Sequence, residues 1–386
     1  MIRSETGNYS ISTLGGETVK AFIPLSLPPV PPLDLTGSRQ RLLERATIAV
    51  GRLDSVATLL PDPDLFLYAY VRREAVLSSQ IEGTQSSLSD LLLFEIDEVP
   101  GVPFDDVVEV SNYIAALNHG MSRLKDGFPL SNRLLREMHA QLMSRGRGSD
   151  KNPGEFRRSQ NWIGGTRPGK AHFVPPPPHE VDRCMGDLEK FLHDDHSTPL
   201  LLKAALAHVQ FETIHPFLDG NGRLGRLLIA LLLHEGGLLS LPLLYLSLYL
   251  KKHRNIYYEK LDIVRTQGDW ESWLDFFLEG VEETALGAVE TVRRLIVLFE
   301  KDRKQVQETK RLAANILRVF HEFEKRPILN LKQICRDHQM TFPTATKAVS
   351  SLIEMGIVRE MTGQKRNRFF VYDAYLKILN EGGDPL

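Results

Sequence analysis

The stretch His215-Pro-Phe-Leu-Asp-Gly-Asn-Gly-Arg-Leu-Gly-Arg226 carries the most structural information in this chain, because it joins two segments with strong helical patterns. Residues 199–214 before it have apolar side chains at three- and four-residue spacing, which predicts an amphipathic helix. Residues 222–235 after it are apolar almost all round, which predicts a helix at the centre of a domain. The sequence therefore predicts two packed helices joined by a short loop, residues 215–222.

This loop has the features of an anion-binding site. Gly220 and Gly222 let the backbone approach a ligand closely. The first amides of the helix that follows are unpaired and carry a partial positive charge, which favours phosphate. Arg223 and Arg226 lie three residues apart and so share one face of the first turn. Their guanidinium groups are suited to binding phosphate oxygens.

Two further side chains of the loop supply groups for a reaction. Asp219 offers an oxygen ligand for Mg²⁺, the usual companion of nucleotide phosphates. His215 has an unperturbed pKa near ~6.5, which suits a general base at neutral pH. A base, a metal ligand and an anion cradle so close together predict phosphoryl or nucleotidyl transfer, in which a hydroxyl loses its proton to His215 and attacks a bound phosphorus.

Simpler interpretations of the glycine-bearing segments are weaker. Asp-Gly-Asn-Gly alone is typical of a plain turn, but a plain turn does not account for the flanking histidine and arginines. A calcium loop starting at Asp219 needs an oxygen ligand at its fifth position, where Arg223 stands. Residues 164–171 nearly match a phosphate-binding P-loop, yet they end in Ala171 instead of Ser or Thr, and Pro175 precludes a long helix after them.

The whole segment resembles the Fic family motif HPFxDGNGRxxR, which it matches at every defined position. The resemblance extends to residues 162–165 and 173–177, which look like the flap hairpin of that family, and to residues 245–270, which look like its adenine-side region. It covers residues 125–290. The fold class that it implies is mainly α, a Fic-type helical core with a small β-hairpin flap.

The resemblance also implies an activity, the transfer of AMP from ATP, with Mg²⁺, to a Ser, Thr or Tyr hydroxyl of a target protein. In that family the histidine that matches His215 deprotonates the hydroxyl, the aspartate that matches Asp219 holds Mg²⁺, and the arginine that matches Arg226 binds the γ-phosphate. The nucleotide-binding positions implied are Gly220, Asn221, Gly222, Arg223, Gly225, Arg226, Asn255 and Tyr258. The flap positions, which align the target segment by main-chain pairing, are Lys170, Ala171, His172, Phe173 and Val174. Self-modification, transfer of another nucleotide or phosphate-linked group, and removal of AMP stay open.

A second motif predicts a built-in inhibitor. Residues 78–83, Ser-Ser-Gln-Ile-Glu-Gly, resemble the inhibitory motif of the same family, with Ser78, Glu82 and Gly83 at its defined positions. Glu82 stands at the predicted end of a helix, where the helix dipole disfavours a carboxylate by a few tenths to ~1 kcal/mol, so it is expected to seek a cation. The resemblance implies that this cation is Arg226. Ser78 and Gln80 are expected to be surface or capping residues.

The last part of the chain has a different character. Residues 310–386 hold 13 Lys and Arg against 8 Asp and Glu. Three predicted helices followed by an apparent hairpin have the layout of a winged helix-turn-helix domain. Such a domain binds DNA or serves as a docking or dimerising unit, and both remain open. The DNA-contacting candidates are Thr341, Thr344, Thr346 and Lys347 on the helix, and Lys365, Arg366 and Arg368 on the wing.

The predicted organisation has five parts. They are an extended N-terminal arm (1–36), an N-terminal helical region with the inhibitory helix (37–124), the catalytic core (125–290), a linker helix (291–309) and the winged helix-turn-helix domain (310–386). Two functions of different classes follow, a protein adenylyltransferase and a DNA-binding regulator that uses the core as a nucleotide-responsive switch. A homodimer that buries or exposes the inhibitory helix is a further expectation.

The composition sets the remaining expectations. Hydrophobic residues make up 42% and charged residues 25% of the chain, as in soluble globular proteins, and the formal net charge of −2 excludes a strongly basic nucleic-acid binder. Two distant cysteines and no apolar leader favour a reducing cytoplasm. Residues 227–250 have too short an apolar run to span a membrane, which needs roughly 20 residues, and are expected to form a buried helix, a turn and a second packed segment. His208 is expected to be a packing histidine.

Overall fold

The computed structural model describes residue 3 and residues 5–58, 63–96, 104–194, 198–309, 313–363 and 368–383. In chain order the elements are β1 (Gly7–Leu14), β2 (Glu17–Pro24), α1 (Ser38–Thr58), α2 (Pro63–Ile81), α3 (Leu88–Phe94), α4 (Phe104–Lys125), α5 (Asn132–Leu142), a 3₁₀ turn (Pro168–Lys170), α6 (Pro178–His193), α7 (Leu200–Ile214), α8 (Asn221–Glu235), α9 (Ser247–Lys252), α10 (Arg254–Gln267), α11 (Trp270–Gln307), α12 (Ala313–Lys325), β3 (Ile328–Asn330), α13 (Leu331–His338), α14 (Phe342–Glu354), β4 (Arg359–Glu360), β5 (Phe369–Val371) and α15 (Asp373–Asn380). The prediction of a mainly α fold is confirmed.

The chain folds into two compact units. Residues 1–54 and 108–285 form the first, and residues 55–107 and 286–386 form the second. This division cuts across the predicted helical region 37–124, because α2 packs against α12 and α15 of the C-terminal part. Within the described residues, no helix is both long and apolar enough to cross a bilayer. Both cysteines are free thiols.

The N-terminal segment corrects one prediction. Instead of an extended arm over residues 1–36, strands β1 and β2 form an antiparallel hairpin that pairs from Gly7 with Pro24 to Leu14 with Glu17. Gly15 and Gly16 make the turn with φ of 57° and 82°, the conformation that glycine favours in two-residue hairpins. Along β2, Val19 and Ala21 are buried and the polar residues Thr18 and Lys20 are exposed, a strand pattern that the proline-rich residues after β2 conceal.

Helices α7 and α8 form the centre of the first unit, as predicted for α8. The sequence predicts an amphipathic α7, but this helix is buried almost all round. From Leu224 to Leu233 every residue of α8 is buried. Three side chains of α7 lie close to Gly225 of α8. A Cβ atom built on Gly225 would lie 2.8 Å from Glu212 Oε1, 3.2 Å from Phe211 Cδ1 and 3.3 Å from His208 Nδ1. Gly225 is therefore a contact point between the two helices.

Replacing Gly225 by alanine is expected to lower the free energy of unfolding by about 1–3 kcal/mol, because the added methyl group overpacks this contact. Gly186 in α6 is the matched control, since a Cβ there meets nothing within 4 Å. Gly186→Ala is expected to raise stability by about 0.5–1 kcal/mol through helix propensity alone. Urea unfolding of both variants measures this, and equal changes of the same sign would contradict the packing argument.

The C-terminal part of the second unit consists of α12, α13 and α14 with a small sheet of order β3-β5-β4, all antiparallel. The predicted helices and hairpin strands are present, whereas β3 and α15 were not predicted. β3 is only three residues long and is recognisable only through its partner β5. α15 places Tyr375 against Phe299 of α11, with ring centroids 5.1 Å apart. The wing residues Lys365 and Arg366 lie outside the described residues.

Candidate active site

His215 begins the predicted catalytic loop in an unusual backbone conformation. Helix α7 ends at Ile214, and His215 follows with φ 50° and ψ 59°, the left-handed region that non-glycine residues seldom adopt. Its side chain is 20% exposed, and its Nδ1 atom lies 4.0 Å from Glu212 Oε2. The left-handed residue turns the chain out of α7, so that the imidazole lies at the surface of the core with a carboxylate beside it.

The loop closes through the side chain of Asn221. Its Oδ1 atom accepts a hydrogen bond from the Phe217 N–H at 2.9 Å, and its Nδ2 atom donates one to the Phe217 carbonyl at 2.8 Å. Asn221 is 2% exposed and is the first residue of α8, one residue earlier than predicted. The side-chain amide of Asn221 therefore stabilises the loop, in addition to the nucleotide contact that the resemblance implies for this residue.

Gly220 has a steric reason to be glycine. Its φ is 77°, and a Cβ built on it lies 2.9 Å from the Met143 Sδ atom. Because Gly220 immediately precedes α8, its conformation directs the loop into the helix, and its carbonyl accepts the Leu224 N–H at 3.0 Å. Gly222 is half-buried in the first turn of the helix.

Asp219 is the most accessible acidic group of the loop. Its side chain is 38% exposed, and its Oδ1 atom accepts the Gly220 N–H at 2.6 Å and lies 3.6 Å from Arg223 Nη2. The described residues contain no cluster of three His, Cys, Asp or Glu side chains that could hold a metal by themselves. Mg²⁺ usually binds one or two carboxylates together with substrate phosphates, so a single exposed aspartate fits that ion.

Arg223 has a buried partner that the sequence analysis missed. Its Nη1 atom donates to the Glu109 Oε2 atom at 3.0 Å, and both side chains are at most 3% exposed. The Arg147 Nε atom lies 3.1 Å from the other oxygen of Glu109. A charge-assisted bond between two buried groups fixes the guanidinium firmly. The sequence does contain a signal for this buried carboxylate, because Glu109 is the one charged residue in the apolar run from Val107 to Val110.

Two other residues of the motif lie on α8. Arg226 is 5% exposed and stands one turn after Arg223, as the spacing predicts. Gly225 had been assigned to nucleotide binding through the resemblance. The structure places it at the contact with α7, where its carbonyl accepts a hydrogen bond from His208 Nδ1 at 3.0 Å. Its role in the structure is helix packing.

His139 of α5 contacts the loop at Phe217 and Asp219, and the sequence analysis did not identify it as part of the site. Its ring stacks on Phe217 with centroids 3.8 Å apart. Its Nδ1 atom accepts the Gly154 N–H at 2.8 Å, so the proton is on Nε2, which donates to the Asp219 carbonyl at 3.0 Å. Burial lowers the pKa of His139 to about 4, so the ring is neutral at neutral pH. Its spacing from Leu135, Met138 and Leu142 places it on the apolar face of α5, and this is the signal in the sequence that could have identified it as buried.

His208 is the packing histidine that the sequence predicts. It is fully buried, donates from Nδ1 to Gly225 and accepts the Tyr257 hydroxyl at Nε2 over 2.8 Å. Its ring stacks against Trp273 at 5.9 Å. Burial lowers its pKa to about 4.

The two neutral histidines predict acid sensitivity. His139 and His208 have folded-state pKa values of about 4, below the value of 6.5 expected in the unfolded chain. The unfolded chain therefore takes up protons first, and the free energy of unfolding is expected to fall between pH 6.5 and pH 4 by up to about 1.4 kcal/mol per pH unit for each residue. Urea unfolding at pH 7 and pH 5 measures this slope. His208→Gln is expected to reduce it, and an unchanged slope in that variant would exclude His208 as a source.

The flap is less regular than the predicted hairpin. Ile163 and Phe173 exchange two backbone hydrogen bonds of 2.8 and 3.1 Å, which form a single bridge. Left-handed Gly164 and Gly165 and the 3₁₀ turn at residues 168–170 prevent further pairing. Lys170 and His172 are exposed, whereas Phe173 and Val174 are buried and Ala171 packs against β2.

The N-terminal hairpin lies along the flap. The Phe22 N–H donates to the Val174 carbonyl at 2.9 Å, and Glu17 accepts the Gly169 N–H at 3.0 Å and pairs with Arg167 at 2.9 Å. Ile163 contacts one edge of the flap and β2 the other. β2 thus contacts the flap at Val174, next to the single Ile163–Phe173 bridge, and the sequence did not predict this contact.

The predicted adenine-side residues, Asn255 and Tyr258, lie three residues apart on α10, and both are exposed. Tyr258 is 42% exposed, and the Arg254 guanidinium lies 5.7 Å from the centre of its ring. The neighbouring Tyr257 is buried against Trp273 and belongs to the core. These exposures suit contact with a ligand at Asn255 and Tyr258.

The predicted inhibitory residues belong to the second unit. Helix α2 ends at Ile81, and Glu82 and Gly83 follow as its C-terminal cap, with Gly83 at φ 103°. Glu82 is half-buried. Ser78 and Gln80, for which the sequence predicts surface or capping roles, are not at the surface, since they are 0% and 2% exposed. The Gln80 amide donates to the Ser86 carbonyl at 3.0 Å.

Comparison with known families accounts for this arrangement. Residues 40–122 match the model described as Fic/DOC family N-terminal, and residues 129–233 match the model described as Fic/DOC family, which includes the whole loop. The chain belongs to the Fic/DOC family. Glu109 thus lies in the first matched segment, and His139 lies in the second, which also contains the motif.

Relatives and solved structures agree with this membership. The chain is 31% identical over 188 residues to the protein adenylyltransferase Fic of Drosophila yakuba and 30% identical to that of Drosophila melanogaster. Each alignment covers 48% of this chain and 35% of the relative, so the chain spans about a third of the length of these relatives. A Fic family protein from Desulfovibrio desulfuricans G20 has a TM-score of 0.56 at 21% identity, covering 89% of this chain and 98% of that one. Fic-1 from C. elegans (residues 134–508) has a TM-score of 0.51 at 22% identity, over 67% and 72%. These structures share the Fic fold.

Proposed function

We propose that this Fic protein is a protein adenylyltransferase that transfers AMP from ATP to a Ser, Thr or Tyr hydroxyl of a target protein. The observation that carries the proposal is the loop itself. A partly exposed His215 stands four residues before an exposed Asp219, and both precede the N-terminus of α8. The relatives named protein adenylyltransferase Fic support the choice of reaction.

The proposed step is a single displacement at the α-phosphorus of ATP. The His215 imidazole takes the proton of the target hydroxyl, the hydroxyl oxygen forms a bond to the α-phosphorus, and the bond to the β-phosphate oxygen breaks. Pyrophosphate leaves with the electron pair of that bond. Glu212, 4.0 Å from His215, favours the imidazolium that results.

The other residues of the loop bind and orient the nucleotide in this proposal. The amides at the start of α8 face the phosphates with the positive end of the helix dipole. Arg226 binds the γ-phosphate, and Arg223, held by Glu109, adds positive charge at a fixed position. Asp219 would hold Mg²⁺, which neutralises phosphate charge when bound. Asn255 and Tyr258 contact the adenine.

The inhibitory role of Glu82 is part of the proposal. In it, Glu82 competes with the γ-phosphate for Arg226, and bound ATP then adopts a pose unfit for transfer. Its place at a helix C-terminus supports this role, because a carboxylate there is destabilised by the helix dipole unless a cation compensates it.

The direct test is incubation of the protein with Mg²⁺ and α-labelled ATP in a cell lysate, followed by mass spectrometry. Label and a mass increment of AMP on a hydroxyl side chain are the expected results. A different increment would redirect the assignment to another phosphate-linked group, and release of AMP from modified proteins would reverse it.

A second candidate function, DNA binding by residues 310–386, has its own supporting observation. Helices α13 and α14 with the strands β4 and β5 have the order of a helix-turn-helix with a wing, and Lys347 is exposed on α14. Thr341 and Thr344 share an exposed hydroxyl hydrogen bond of 2.9 Å near the start of that helix. A gel shift with genomic fragments tests it, and binding that Lys347→Ala does not weaken would argue against this surface.

A further inference from the structure

Arg157 is a buried cation next to the catalytic loop. It is 3% exposed and lies in the connection between α5 and the flap. Its Nε atom donates to the His215 carbonyl at 2.9 Å, and its Nη2 atom donates to the Pro176 carbonyl at 2.5 Å and to the Ile214 carbonyl at 3.4 Å. Its own backbone N–H donates to the Pro216 carbonyl at 2.9 Å. One residue thus binds three consecutive residues of the main chain at the start of the loop.

The partners of this guanidinium are unusual for a buried charge. Among the described residues, its hydrogen-bond partners are all backbone carbonyls, and no carboxylate pairs with it. Burial lowers the pKa of Arg157 to about 10 and raises that of the nearby Cys184 thiol to about 11, so the arginine is charged and the thiol neutral at neutral pH. A buried charge without a counter-ion is costly, so its neighbours have to stabilise it in another way.

The end of α7 provides that stabilisation. The last carbonyls of a helix lack partners within the helix and carry a partial negative charge. Ile214 is the final residue of α7 and His215 its C-cap, and both carbonyls accept hydrogen bonds from Arg157. The same guanidinium also reaches Pro176, just after the flap. Arg157 therefore caps α7 and connects the backbone of His215 to the end of the flap.

We propose that Arg157 is a positioning residue for His215, which holds the imidazole at the angle that proton abstraction requires. This inference rests on the proposed function of His215 as the base. His215 keeps a left-handed backbone, and a non-glycine residue keeps that conformation only when its surroundings determine it. The carbonyl bond to Arg157 and the N–H bond to Phe211 restrain both backbone polar groups of His215.

The test compares Arg157→Gln and Arg157→Lys with Arg158→Gln in the full chain. Arg158 is the matched control, because it is adjacent and its side chain is 91% exposed. Arg157→Gln is expected to lower kcat for AMP transfer by about 10- to 100-fold, since small misplacements of a reacting group cost that much, with the KM for ATP nearly unchanged. Arg157→Lys is expected to recover part of kcat, because an ammonium group can still donate to carbonyls. Arg158→Gln is expected to behave as wild type.

A second measurement separates positioning from folding and from the reaction itself. The NMR signals of the His215 imidazole, assigned through His215→Ala, are expected to shift or broaden in both Arg157 variants and to stay unchanged in Arg158→Gln. Unchanged signals in Arg157→Lys, or a fall in activity that appears only in KM, would overturn the proposal. If wild type transfers no AMP, the proposed function fails, while the NMR comparison still decides whether Arg157 positions His215. If Arg157→Gln does not fold, Arg157→Lys alone provides both measurements.

Discussion

His215→Ala is expected to lower the rate of AMP transfer by about 10²–10⁴-fold, the usual contribution of a general base. The reason lies in the geometry of the loop. The His215 imidazole stands at the entrance of the α8 N-terminus, and its Nδ1 atom lies 4.0 Å from the carboxylate of Glu212. Alanine leaves the rest of the loop in place, because Asn221, Gly220 and His139 hold it without the imidazole.

The measurement is the initial rate of incorporation of α-labelled AMP, with nucleotide affinity determined in parallel by calorimetry. His179→Ala is the control, since that histidine is 75% exposed on α6. We expect full activity in the control and nearly unchanged nucleotide affinity in His215→Ala. A His215→Ala protein that binds ATP and transfers AMP at the wild-type rate would remove the base from the proposed step.

Glu82→Gly is expected to raise the rate of AMP transfer about tenfold or more. If Glu82 competes with the γ-phosphate for an arginine, removing it releases at least ~1.4 kcal/mol for the productive pose, which is a factor of ten. The cap of α2 should tolerate the change, because Glu82 follows the last helical residue and its N–H already donates to the Ser79 carbonyl at 3.0 Å. Label incorporation by wild type and variant at equal protein concentration measures the effect.

The same substitution at another helix end controls for backbone effects. Glu354 is exposed at the end of α14, two residues before Gly356, and Glu354→Gly is expected to leave the transfer rate unchanged. Glu82→Gly with wild-type activity would remove the inhibitory role from the proposal. The double variant Glu82→Gly, His215→Ala is expected to lose this gain in transfer rate, because productively bound ATP does not react without the base.

Much of the helical fold was predictable because it follows from local patterns. The apolar residues of α7 and α8, the glycines between them and the order of α12, α13 and α14 are all visible in the sequence. The N-terminal hairpin was not predicted, because the proline-rich residues 24–32, at its end and after it, give the segment 1–36 the composition of an extended arm. Strand β3 was not predicted because three residues are too few to show an alternating pattern without their partner strand.

The residues of the site likewise fall into those that the sequence predicts and those that only the fold reveals. His215, Asp219 and Arg226 follow from chemistry within a single loop. The supporting residues Glu109 and His139 come from distant helices, and only folding brings them to the loop. Asn221 and Gly225 have contacts that the motif does not reveal, in loop closure and in helix packing, and their predicted contact with the nucleotide stays a prediction.

The two hydrogen bonds between Asn221 and Phe217 have a thermodynamic consequence. They close a small ring from atoms of the chain alone, which orders the loop between Phe217 and Asn221. Each residue that is already ordered spares about 1–2 kcal/mol of conformational entropy at the moment of association. If the loop binds phosphate as proposed, the selectivity of the protein among phosphate compounds is expected to depend more on the fixed shape of the loop than on its rearrangement.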